Sequence, residues 1–237
     1  MESPNLRRVL QALVFASAIC LVLLVARPAI FGVQKFNGLA GNLVLAWVPV
    51  LFAWRIAVLH ARHADRLGAI ALCGVVWFIF FPNAPYLVTD LVHWKLRAPV
   101  PKWFDLILIM SFAWTGVSLG CLSLYLLQEI VTERIGRRIG WMFAIGMLAL
   151  GSCGVFVGRY WRWNSWEAFV NPFSLFNKAE EKFDRLPPGE IAGFCLTFFC
   201  FSLLSYVTMR GATHLRGGAE PRASVHSAPA GKSCATD

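Results

Sequence analysis

The stretch Phe81-Pro82-Asn83-Ala84-Pro85-Tyr86-Leu87-Val88-Thr89-Asp90-Leu91-Val92-His93-Trp94 follows directly on an apolar run. Its two prolines and an asparagine interrupt the helix there. With Pro85 in the first turn of a new helix, where its missing N–H does no harm, Asn83 is placed to cap that turn. Tyr86, Asp90, His93 and Arg97 then follow at i, i+4, i+7 and i+11, which is one face of an α-helix. Leu87, Val88, Leu91 and Val92 lie away from that face. Pro99 and Pro101 bound the segment downstream. The expectation is a short amphipathic helix carrying phenol, carboxylate, imidazole and guanidinium on one stripe.

The apolar run before it, 67–81, gives about 22 Å of helix. That is short against a hydrocarbon core of about 30 Å, so the break belongs within the membrane or at its edge. Irregular backbone is tolerated at that depth only where protein or a wet cavity surrounds it. Working outward, apolar runs recur at 9–26, 39–59, 104–128, 141–158 and 191–209, with charges gathered into short blocks between them. The 237 residues are 57% hydrophobic and 15% charged, with mean hydropathy +0.59; a soluble domain has about 25% charged residues. The fold class expected is all-α: a polytopic transmembrane helix bundle of six spans over 1–209, with short amphipathic helices in an extracytoplasmic cap. No small-x-small cleavage site follows the first run, which is read as an uncleaved span. The 210–237 tail has no apolar run and is expected to be disordered.

The formal net charge is +9. The bases flank the spans, which points to topology and lipid headgroups as partners and not to nucleic acid. Six of the seven cysteines lie inside apolar runs and none forms a C-x-x-C, so they read as packing residues. No cofactor is expected. The fourth run carries a GxxxG at Gly116 and Gly120, beside Ser111, Thr115 and Ser118; the fifth carries another at Gly154 and Gly158. Small residues let helices approach closely. The fourth span is therefore expected to be central, and the small-residue faces are surfaces for helix packing, a protein partner or a homo-oligomer.

The longest connection, 159–190, opens Arg159-Tyr160-Trp161-Arg162-Trp163-Asn164-Ser165-Trp166-Glu167. Asn164 and Glu167 have capping-box spacing. Phe173, Phe176, Phe183 and Leu186 then mark an amphipathic piece lying on the membrane. With six spans the third and fifth connections share a side, which brings segments 82–103 and 159–190 into one cap. A cytoplasmic N-terminus places 12 Lys and Arg inside against 10 outside. The five bases of the long connection accompany five acids and weigh less.

The Pro82-Asn83-Ala84-Pro85-Tyr86 motif with Thr89-Asp90-Leu91 and His93, and Gly158-Arg159-Tyr160 leading into Arg162-Trp163-Asn164-Ser165-Trp166, together resemble the hallmark of the DUF1361 family. The resemblance runs from the second span through the sixth. It implies a bacterial multi-span integral membrane protein; the inner (cytoplasmic) membrane is the expected location. It implies no activity, because the family has no assigned function.

Four readings attach to these residues. Asp90 and His93, at i and i+3, have a spacing that can present two ligands to a metal, with Glu167 as a third; two ligands on one turn are weak evidence without a fuller motif. As an enzyme, Asp90 and His93 form an acid–base pair with Glu167 beside them, while Arg159 and Arg162 hold a phosphate or carboxylate of a lipid-linked substrate; no nucleophile motif accompanies them. As a transporter, the broken third span and the polar face of the fourth line a path, although ionisable residues at mid-span are almost absent. The leading reading is a structural or interaction protein, such as a scaffold or assembly factor. Asp90 there pairs with Arg159 or Arg162, Asn83 and Asn164 are first of all helix caps, and the tryptophans form an interfacial belt with cation–π stacking. Asn83, Tyr86, Arg159, Arg162 and Asn164 are the ligand-binding candidates under the other readings. Both termini are expected in the cytoplasm: a reporter that is active only outside the cytoplasm should be silent when fused to the tail, and activity there would reverse the assigned orientation.

Overall fold

A computed structural model describes residues 4–33, 36, 38–61, 67–93, 100–161 and 187–217. The order is α1 (Pro4–Phe31), α2 (Gly38–Ala61), α3 (Leu67–Phe80), α4 (Asn83–Tyr86), a 3-10 helix (Leu87–His93), α5 (Lys102–Ile135), α6 (Arg137–Trp161) and α7 (Pro188–Gly217). Among the described residues there is no strand. Six helices are long and apolar enough to cross a membrane, with α3, α4 and the 3-10 helix forming one of them over Leu67–Val92. The all-α, multi-pass expectation holds. We call the end where α1 begins and α7 finishes the terminal end, and the opposite one the far end.

α5 is the hub. It contacts α1, α2, α4, the 3-10 helix, α6 and α7. Of its apolar window 67% is buried, against 39% or less in every other span. Leu108, Ile109, Phe112, Leu119 and Leu124 are fully buried along it. Its 34 residues reach about 51 Å, longer than a bilayer core, so its last turns carry Glu129, Glu133 and Arg134. The charged connection expected at 129–140 contracts to Gly136 alone. That residue has φ +116°, and its N–H donates to the Thr132 carbonyl at 3.0 Å. Only glycine adopts this conformation without strain, so the chain reverses in one step.

The glycine motifs of α5 and α6 receive the broken third span. A Cβ on Gly116 would collide with the Ala84 carbonyl oxygen and sit 2.6 Å from Leu87 Cδ1. One on Gly151 would sit 2.8 Å from Phe81, and Gly154 meets Pro82. The backbone at 81–87 thereby lies directly on two helices and is enclosed by protein, as irregular backbone in a membrane must be. Phe81, Ala84 and Leu87 are buried in consequence.

Two local expectations are corrected here. Asn83 does not cap α4, whose N-cap is Pro82 without a side-chain bond. Asn83 Nδ2 instead donates backwards to the Phe80 carbonyl at 3.0 Å, satisfying an acceptor left at the end of α3 because the Ala84 N–H goes to the Phe81 carbonyl instead. Segment 87–93 is a 3-10 helix and not an α-helix. At three residues per turn Leu87 and Asp90 share a face, and both are buried. The expected separation of leucine face from polar face is lost because α5 demands an apolar residue at 87.

Gly116→Ala should lower the thermal unfolding midpoint in detergent, at a cost of about 1–3 kcal/mol, because the clash is with backbone. Gly120→Ala should cost less, its nearest neighbours standing at 3.4 and 3.5 Å, and Gly146→Ala, with nothing within 4 Å, should be tolerated.

Candidate functional site

Four described side chains from the candidate cap can be placed. Asp90 is buried in the 3-10 helix at the far end. Its Oδ2 accepts from Asn42 Nδ2 at 3.3 Å, and Arg159 Nη1 stands 3.9 Å from its Oδ1. Asn42 comes from the start of α2 and Arg159 from the last turn of α6, where a cation also suits the negative end of the helix dipole. The Asp90–Arg159 distance exceeds hydrogen-bond reach, so this is a charge pair that holds two elements near one another without a fixed fork geometry. Tyr86 is half-buried, and its carbonyl accepts from Thr89 Oγ1 at 2.8 Å. Asn83 serves the backbone, as described. The structure thus brings Asp90 and Arg159 together and leaves Asn83 turned to α3. The His93 side chain, Arg162, Asn164 and Glu167 lie outside the described residues, as do the expected amphipathic piece within 162–186 and the end of the tail, 218–237. Among the described residues no three His, Cys, Asp or Glu side chains converge as metal ligands would.

The cap itself takes a different form over its described part. Segment 81–93 is wedged into the bundle against α2, α5 and α6, because the glycines of α5 and α6 leave it space there and the membrane leaves it none outside.

Among the described residues, the strongest polar contact at the far end joins α1 to α5 through two residues that the sequence motifs do not pair. Arg27, only 2% exposed, donates from Nε to Asp105 Oδ1 at 2.7 Å and from Nη2 to Oδ2 at 3.0 Å. Its Nη1 donates to the Val33 carbonyl at 2.7 Å, and its guanidinium lies 5.2 Å from the centre of the Phe36 ring. Phe36 holds φ +69° to present that ring, a backbone strain of about 1–3 kcal/mol. The expected first span ended at 26, which left Arg27 in a loop. In the fold α1 continues through Pro28 to Phe31, so Arg27 is on the helix and faces α5. The sequence carries a signal for this pair: an arginine directly after an apolar run needs a partner near lipid, and Asp105 stands at the start of the fourth run. Asp105 also sits in the first turn of α5, the favourable place for an anion.

A second cluster closes the terminal end. Gln128 on α5 is fully buried and accepts from the Tyr206 hydroxyl and from Arg210 Nη1, the latter at 2.9 Å. Arg210 Nη2 donates to Glu129 Oε1 at 2.6 Å. The guanidinium also lies 5.1 Å from the Tyr125 ring centre and 5.3 Å from that of Trp141. Arg210 was expected in the tail; α7 runs past the expected end at 209 and carries it into this cluster.

Chemically, both ends hold fixed charges engaged with one another. Arg27→Ala or Asp105→Ala should each cost about 3–5 kcal/mol, since either leaves a buried charge alone. The double substitution should cost clearly less than the sum, as read from unfolding midpoints in a double-mutant cycle.

No curated protein and no solved structure matches this chain. The family model described as "Protein of unknown function (DUF1361)" matches residues 42–208. The match opens at Asn42, spans both motifs and the broken span, and includes Gln128 and Tyr206; Arg27 precedes it and Arg210 follows it. With the match extending over most of its length, the chain belongs to the DUF1361 family.

Proposed function

We propose that this chain is a structural or assembly protein of the bacterial cytoplasmic membrane, with both termini in the cytoplasm. The observation that carries the reading is the state of the polar groups at the far end. Asp90 is engaged by Asn42 and Arg159, and Arg27 and Asp105 bind each other at both oxygens. A transporter or an enzyme needs a hollow with polar groups turned into it. A cavity of about 20 Å³ lies beside the broken span, with space for one water, and none of these far-end polar groups lines it. A structural role needs those groups paired and the break filled. On this reading the partners are membrane lipids and a protein that meets the far end. The small-residue faces on α5 and α6 serve first to seat the chain's own broken span.

The test joins stability to activity. Asp90→Asn should lower the unfolding midpoint in detergent, because Arg159 then faces a neutral amide near lipid. Proteoliposomes of the wild-type chain should neither take up anionic solutes nor turn over lipid-linked phosphates. Uptake or turnover by the wild type that Asp90→Asn abolishes, with the midpoint unchanged, would replace this reading. The polar groups of segments 82–103 and 159–190 would then be a transport or lipid-linked-substrate site.

A further inference from the structure

A small, partly open and mainly apolar cavity beside the break lies between α5, α6 and α7. Its walls include Phe81 and Pro85 from the break, Gly120 and Cys121 from α5, Ser152 from α6 and Ser202 from α7. Ser202 is 7% exposed, and its Oγ is buried without a hydrogen-bond partner. Among the described hydroxyls Thr132 Oγ1 shares that state, but it does not line the cavity. Ser17, Ser111, Thr115, Ser118, Ser152 and Ser205 each return their hydroxyl to the carbonyl four residues back, at 2.8 to 2.9 Å. Ser123 does the same to a carbonyl three residues back. A serine in a membrane helix has that internal solution at hand. Ser202 lines the cavity without taking it.

The cavity size selects the ligand. About 20 Å³ exceeds the roughly 10–15 Å³ that one water requires and falls short of a second. A buried water also needs two to four polar partners, by the same general rule. Ser202 Oγ supplies one, as donor or acceptor. Ser152 Oγ has spent its proton on the Leu148 carbonyl and keeps its lone pairs to accept from a water. The Cys121 thiol, buried on the α5 wall, is a weak third. We infer that this cavity binds a single water, which bridges Ser202 of α7 to Ser152 of α6 beneath the proline break.

The position gives the water a role. Ser202, Tyr206 and Arg210 follow one another at i, i+4 and i+8, so α7 turns one polar face inward. Its two lower rungs meet α5 directly, through Gln128 and Glu129. The upper rung stands where Gly120 and Gly151 have no side chain to offer. The water completes it and ties α7 to the wall on which the break rests.

Ser202→Ala separates the alternatives by the sign of its effect. With the water in place the substitution removes a partner from both sides, and the unfolding midpoint in detergent should fall by about 2–4 °C, the shift of one lost hydrogen bond in a chain of this size. Without it, Ser202→Ala deletes an unsatisfied buried hydroxyl, and the midpoint should rise or stay unchanged, which would overturn the inference. An experimental density map of the wild type fine enough to show ordered water gives a second reading. A peak within hydrogen-bond distance of both serine Oγ atoms is the expected result; side chains closing over the space, or Ser202 turned back to its own helix, would also overturn it.

Discussion

A helix that stops inside a bilayer leaves backbone donors and acceptors with no water to turn to, and the rest of this fold answers that constraint. α3 ends at Phe80 after 14 residues, too short to cross. The chain then passes through Pro82 and Pro85, neither of which has an N–H to contribute. The tension is met by proximity: Gly116 on α5 admits the Ala84 carbonyl, while Gly120 on α5 and Gly151 and Gly154 on α6 admit the side chains of Pro85, Phe81 and Pro82 against helix backbone. Asn83 turns back to the Phe80 carbonyl. The centrality of α5 follows, since it must face the break on one side and the remaining helices on the others.

Polar contacts then set which helices stand beside α5 and at what height. Arg27–Asp105 joins α1 to its start, and Arg210 with Gln128 and Glu129 joins α7 to its end. Between them the interior is mainly apolar, with side chains such as Leu108 and Phe112, and most of its buried hydroxyls are bonded within their own helices. Charged pairs in a medium of low dielectric do not slide, because a displaced partner leaves a charge alone. Asp90 plays the same part for the broken span, held between α2 and α6. The far end and the terminal end are thus pinned independently, with the small hydrated space proposed at Ser202 lying between them.

The candidate site was legible in kind and only partly in membership. Asp90 and Arg159 stand out in sequence because each is an ionisable residue next to a break or a span end, and such residues seek partners. Asn42 does not stand out: an asparagine near the start of a helix is common, and its contact with Asp90 depends on how far the 3-10 helix descends beside α2. Arg27 is not legible in this way, because a charge at the end of an apolar run reads as the end of a span. Its pairing with Asp105, 78 residues away, let α1 run on through Pro28.

What the sequence determined by itself is whatever local chemistry dictates: six spans from apolar length, a break from two prolines and an asparagine, and the sharing of one side by the third and fifth connections from counting spans. Those need no knowledge of what lies opposite. Only the tertiary structure decided that the GxxxG glycines seat the chain's own broken span, that 87–93 winds at three residues per turn, and that Asn83 serves the helix behind it. It also decided that Gly136 alone joins α5 to α6. Each of these depends on the fit between surfaces far apart in the chain, where a Cβ more or less on α5 settles the path of residues some thirty positions earlier.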